Sequence, residues 1–178
     1  MPSAALKRHP ASPCAALRGI EASVTRAAEG SLQLVYRLEG DLDRLRIPQA
    51  RTPRIAERLW QHTCCELFVG SAAGAAYHEF NFSPSAEWAA YRFERYRHGM
   101  ALLETLAEPR IRVQRAAGVL ELHARISLPL PSHPLLCLSA VIEETDGTLS
   151  YWALRHAPGK PDFHHRDAFA LALDEVRH

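Results

Sequence analysis

The chain has 178 residues, 47% of them hydrophobic and 23% charged, which is enough to bury a substantial core without staples. Its 21 basic and 20 acidic residues are interspersed and leave a formal charge of +1, which argues against a nucleic-acid binder driven by a basic face. Residues 1–19 hold Lys7, Arg8, His9 and Pro10 but no apolar run, and no stretch approaches bilayer length, so a cytoplasmic protein without a membrane partner is expected. The four cysteines (Cys14, Cys64, Cys65 and Cys137) form no disulfide framework by spacing and read as structural thiols.

Residues 1–18 are expected to be a loose lead, and 19–178 a single domain. In chain order, Ile20 to Thr25 and Leu32 to Leu38 alternate apolar and polar residues and predict strands. A connection containing Pro48 and Pro53 follows, and proline makes a helix difficult there. His62 to Val69, Ala75 to Ser83 and Glu87 to Arg97 are the next strands. Met100 to Ala107 has good helix formers and reads as one short helix or a loop. Arg110 to Arg115, Val119 to Leu128, Leu135 to Glu144, Thr148 to Arg155 and Ala168 to Leu173 complete the set, with Asp146-Gly147 as a turn. Roughly nine or ten strands with at most one or two short helices imply an all-β protein, an antiparallel β-sandwich of jelly-roll or immunoglobulin-like type.

Strand alternation also marks a candidate site. In Tyr77-His78-Glu79-Phe80-Asn81-Phe82-Ser83-Pro84, Phe80 and Phe82 share one face while Glu79 and Asn81 share the other. In the following strand, Trp88 and Arg92 oppose Ala89, Tyr91 and Phe93. A face carrying Glu79, Asn81, Trp88 and Arg92 would suit a flat, polar ligand. The same residues have ordinary structural uses: Glu79 can pair with Arg92 across the strands, and Trp152, between Tyr151 and Ala153, suits a core.

The segments Trp60-Gln61-His62-Thr63-Cys64-Cys65-Glu66-Leu67-Phe68-Val69 and Tyr77 to Pro84 resemble the bacterial branch of the DOMON-like β-sandwiches, a superfamily that includes the family 9 carbohydrate-binding modules. Ser150-Tyr151-Trp152-Ala153-Leu154 and Lys160-Pro161-Asp162-Phe163-His164-His165 resemble the closing segment of those proteins. The resemblance implies a non-catalytic module that binds a sugar-like small molecule, with Trp60, Glu66, Glu79, Asn81, Trp88, Arg92 and Trp152 as the matching residue types. It also leaves open a haem-binding alternative, with His98, His123 and His156 as possible ligands, although Met1 and Met100 are the only methionines for a Met/His pair.

A glycoside hydrolase using Glu66 and Glu79 is a further alternative, since two carboxylates at a set separation are its requirement. No Gly-x-Ser-x-Gly elbow, phosphate loop or dinucleotide fingerprint is present, so no catalytic residue is assigned and no cofactor is expected. His156, Asp162, His164 and His165 have suitable chemistry for a metal but match no spacing motif, and loop anchoring is the simpler reading.

Overall fold

The computed structural model describes residues 3–173. These form thirteen strands: β1 (Ala4–Arg8), β2 (Leu17–Arg26), β3 (Leu32–Gly40), β4 (Arg54–Ile55), β5 (Cys64–Ser71), β6 (Tyr77–Phe82), β7 (Glu87–Phe93), β8 (Ala101–Leu102), β9 (Arg110–Ala116), β10 (Val119–Ile126), β11 (Pro134–Glu143), β12 (Leu149–Ala153) and β13 (Leu171–Ala172). Among the described residues the helical structure is limited to three single 3₁₀ turns, Leu42–Arg44, Leu59–Gln61 and Arg166–Ala168. The Met100 to Ala107 tract, with good helix formers, instead supplies the two-residue β8 and a turn. Intrinsic preference is weak beside the chance to pair with β7.

The strand order β4-β7-β6-β5-β11-β12-β1-β2-β3-β10-β9 curls one continuous sheet into two layers, with β13 and β8 pairing β11 and β7. All pairings are antiparallel except β4 with β7. The loose lead expected for residues 1–18 is corrected by β1. Its first half pairs with β2 through Ala4, Ala5 and Leu6, and its second half with β12 through Lys7 and Arg8. Leu6 is buried, so this short strand is held by side-chain packing as well as by its ladder bonds.

Between the layers lies the main core. Ile20, Leu34, Leu38, Leu120 and Leu122 meet Leu67, Phe80, Phe82, Leu138 and Ile142 there. Each set sits on alternate positions of its strand, as one buried sheet face requires. The buried Tyr36 hydroxyl donates to the backbone carbonyl of Glu66 across this core, fixing β5 against the opposite layer.

β5, β6 and β11 are buried on both faces, because a second apolar cluster covers the outer side of their layer. It comprises Phe68, Tyr77, Tyr91, Phe93, Cys137 and Val141 beneath Phe163 and Ala168, which come from the long segment after β12. Arg166 fastens that segment by donating to the carbonyls of Ser71, Ala72 and Gly74.

Candidate functional site

The ladder registers decide which side chains meet. Glu66 of β5 lies opposite Asn81 of β6 and Ser139 of β11, while Phe68 lies opposite Glu79, and Glu79 opposite Tyr91 of β7. Two outer-face rows result: Ser139–Glu66–Asn81–Ala89, and beside it Cys137–Phe68–Glu79–Tyr91. Glu66 and Glu79 are therefore diagonal neighbours, within reach of each other's field. Both are buried, at 2% and 5% exposure.

A cavity of about 420 Å³ opens over these rows. Glu66 and Glu79 line it together with Phe68, Phe93 and Val141, and Trp60, Tyr151, Phe163, His164 and Arg97 form its sides. Trp60 reaches it from the 3₁₀ turn Leu59–Gln61 and stands edge-on to Tyr91, with ring centroids 5.8 Å apart. Phe163 packs edge-on to Phe68 at 6.5 Å. The volume lies in the range that small-molecule sites occupy.

Hydrogen bonds link the cavity's polar groups in series. The Arg97 N–H donates to the Tyr77 hydroxyl at 3.1 Å, and that hydroxyl lies 2.8 Å from His164 Nδ1. With one proton accepted, Tyr77 donates its own to Nδ1, which leaves the imidazole proton on Nε2, 3.6 Å from Glu79 Oε2. Asn81 Nδ2 donates to Glu79 Oε1 at 3.0 Å, and the Ser139 hydroxyl to Glu66 Oε2 at 3.3 Å. At the rim, Asp162 accepts from Arg97 Nη2 at 2.8 Å, from the Tyr96 hydroxyl and from the His164 backbone N–H. Arg97 occupies the left-handed region at φ 51°, which turns its N–H toward Tyr77 while its guanidinium meets Asp162.

Electrostatics follow from burial. Desolvation raises the Glu79 carboxyl to about 7, against the lowering effects of the Asn81 amide and Arg97. Desolvation and then the Glu79 charge push Glu66 well above the ordinary carboxylate range. Desolvation and the Arg97 charge bring His164 down to about 4. At neutral pH His164 is thus neutral, and its approach to Glu79 is not an ion pair. Glu66 is protonated and can donate. Asn81, opposite Glu66 in the ladder, has a buried Oδ1 without a hydrogen-bond partner among the described residues, an acceptor suited to such a proton.

Of the residues expected from sequence, Glu66, Glu79 and Trp60 come together in this cavity, with Asn81 beneath it. Trp88, Arg92 and Trp152 do not. Trp88 lies opposite Phe82, Arg92 opposite His78, and Trp152 opposite Ala140, all on the reverse face of the sheet. Trp88 and Trp152 belong to the main core, where the Trp152 indole N–H donates to the Ser150 hydroxyl; Arg92 is exposed. Cross-strand pairing of Glu79 with Arg92 is excluded by the same register.

The cavity also uses residues that strand alternation did not point to: Arg97 in a turn, and Tyr151 and Phe163, remote in sequence from Glu66. In sequence, Asp162 and His164 stand out as metal-ligand types and as part of the closing segment. Among the described residues no group of three His, Cys, Asp or Glu side chains has the arrangement to hold a metal ion. The haem candidates sit on separate elements with separate partners. His98 is near Glu94, His123 near Glu121, and the His156 Nε2–H donates to the Lys7 carbonyl.

No protein-family model and no curated protein matches the sequence. Solved structures do match. A candidate carbohydrate-binding protein from Bacteroides uniformis ATCC 8492 superposes with a TM-score of 0.64 at 13% identity, covering 98% of this chain and 87% of that one. A family 9 carbohydrate-binding module from Caldicellulosiruptor kristjanssonii, solved with glucose, gives a TM-score of 0.48 at 10% identity over 84% of this chain and 72% of that one. The first likeness establishes the fold, an all-β sandwich.

Proposed function

We propose that the cavity above Glu66 and Glu79 binds a carbohydrate-like small molecule without transforming it. The observation that carries this reading is the pair of buried carboxyl groups on the floor, Glu66 and Glu79, combined with aromatic sides. A sugar needs donors and acceptors for its hydroxyls and apolar surface for its C–H faces. Glu66, Glu79 and the His164 imidazole, which line the cavity, supply the first; Trp60, Phe93, Tyr151 and Phe163 supply the second. Displaced carboxyl groups in a cleft mark functional sites more often than ordinary surface does.

The sandwich fold of the matching protein from Bacteroides uniformis, itself described as a candidate carbohydrate binder, supports the same reading, and so does the motif from Tyr77 to Pro84 for membership of the DOMON-like superfamily. Four free thiols suit a reducing, cytoplasmic setting. Neither the haem nor the hydrolase alternative is favoured by a specific contact.

Calorimetric screening against mono- and oligosaccharides, sugar phosphates and cell-wall fragments tests the proposal. Micromolar to millimolar binding is expected for at least one of them, weakened about tenfold or more by Trp60→Ala. Silence across the panel, or binding indifferent to Trp60 and Glu79, overturns it.

A further inference from the structure

A second cavity, of about 450 Å³, lies on the same outer face and shares the His164 side chain with the first. Its lining includes Gly70, Tyr77, Leu135, Tyr96 and Phe169, beneath the loop joining β5 to β6. A Cβ at Gly70 would lie 3.1 Å from the Phe169 ring, so glycine lets that wall sit close.

The polar groups around this second cavity are already committed. The Tyr77 hydroxyl serves Arg97 and His164, and the Tyr96 hydroxyl serves Asp162. The Arg166 guanidinium serves three backbone carbonyls, and His165 Nδ1 accepts from the Asp167 N–H. Arg95 is the exception, exposed and with no side-chain partner among the described residues. A hydroxylated ring placed here would surrender bonds to water and find few replacements, which is costly. An apolar group would lose nothing and gain the burial of its surface.

We propose that the second cavity is the aglycone subsite of a continuous two-part site, so that the natural ligand is a glycoside carrying an aryl or alkyl group rather than a free sugar. The inference rests on the sugar reading of the first cavity, and the shared His164 wall is what joins the two. The sugar ring would sit over Glu66 and Glu79, and its substituent would pass His164 to lie against Leu135, Tyr77 and Phe169.

Matched methyl and phenyl pyranosides of glucose, galactose, mannose and N-acetylglucosamine, titrated into the full chain by calorimetry, test it. For whichever sugar binds, the phenyl glycoside should bind between about tenfold and fiftyfold more tightly than the methyl glycoside. Ala75→Trp, at an exposed position lining the second cavity, should abolish that gain while leaving the methyl glycoside's affinity unchanged. Leu135→Gln, on the opposite wall, should do the same.

Equal affinity for the two glycosides, or a phenyl gain that survives both substitutions, overturns the aglycone subsite and leaves the sugar reading intact. Failure of every pyranoside to bind overturns this inference, and the sugar reading falls as well if the wider saccharide panel is silent.

Discussion

At Glu66 a proton does the work of a counter-charge. A buried carboxylate without a cation is expensive, and no arginine or lysine pairs with Glu66 among the described residues. The folded protein keeps the proton, and the unfolded chain releases it near the ordinary value of 4.5. Since the folded value is the raised one, the stability this proton supplies is complete below about pH 4.5. It declines as pH rises toward the folded value, by at most about 1.4 kcal/mol per pH unit for one proton.

Glu66→Gln keeps the shape and a donor but has nothing to lose. Its Tm relative to the native chain should therefore rise progressively from pH 5 to pH 8, and thermal melts across that range check it. His164 works in the opposite sense. Its depressed value makes the fold less stable as pH falls from 6.5 to about 4, and comparison of variant with native chain removes that contribution. Glu79, at about 7, governs binding instead. If its carboxylate form receives the ligand's hydroxyls, affinity should increase about tenfold between pH 6 and pH 8, following the ionised fraction. Glu79→Gln should flatten that dependence, as calorimetry at the two pH values would show.

At the scale of the strand, the pairing of β6 with β7 separates the two tryptophans that composition alone treats alike. The turn between them, with Ala86 at φ 73° and the Ser83 N–H donating to the Glu87 carbonyl, sets Phe82 opposite Trp88. Odd-numbered positions then face odd ones, so Glu79 and Asn81 share their side with Ala89, Tyr91 and Phe93. Alternation within one strand is legible in sequence. That is why Glu79 and Asn81 could be assigned to one polar face, and why most strand limits fall within a few residues of those observed.

The register between two strands is not legible, because it depends on a turn whose geometry a list of residues does not print. Trp88 and Arg92 were misplaced for that reason, and Tyr91 and Phe93 overlooked. Phe163 and Tyr151 reach the site through a long irregular segment and a non-neighbouring strand, leaving no periodic signal. The distinction is measurable. Trp88→Ala, in the core, should cost about 3–5 kcal/mol in urea denaturation. Trp60→Ala, half-buried at the cavity mouth, should cost far less stability while weakening sugar binding.

For the molecule as a whole, joining the two layers falls to β1. The all-β sandwich was readable from apolar runs and turns, but β1 was not, since five residues with a single buried side chain look like a tail. Leu6→Ala should destabilise the chain by about 2–4 kcal/mol, as denaturant titration would show, because the cavity it leaves lies where both layers meet.

Gly40 marks another close junction. A Cβ there would come within 2.2 Å of the Ala16 carbonyl oxygen and 2.7 Å of the Leu17 Cα, beside the β-bulge that opens β2. Gly40→Ala is therefore expected to be severely destabilising. Gly74→Ala, where a Cβ meets nothing, should be tolerated.

Because β1 occupies the ladders of β2 and β12 at once, peeling it away uncovers two raw hydrogen-bonding margins in a single event. Chains in that state can template one another edge to edge. A weakened β1 should therefore announce itself as concentration-dependent clumping before the remaining strands melt.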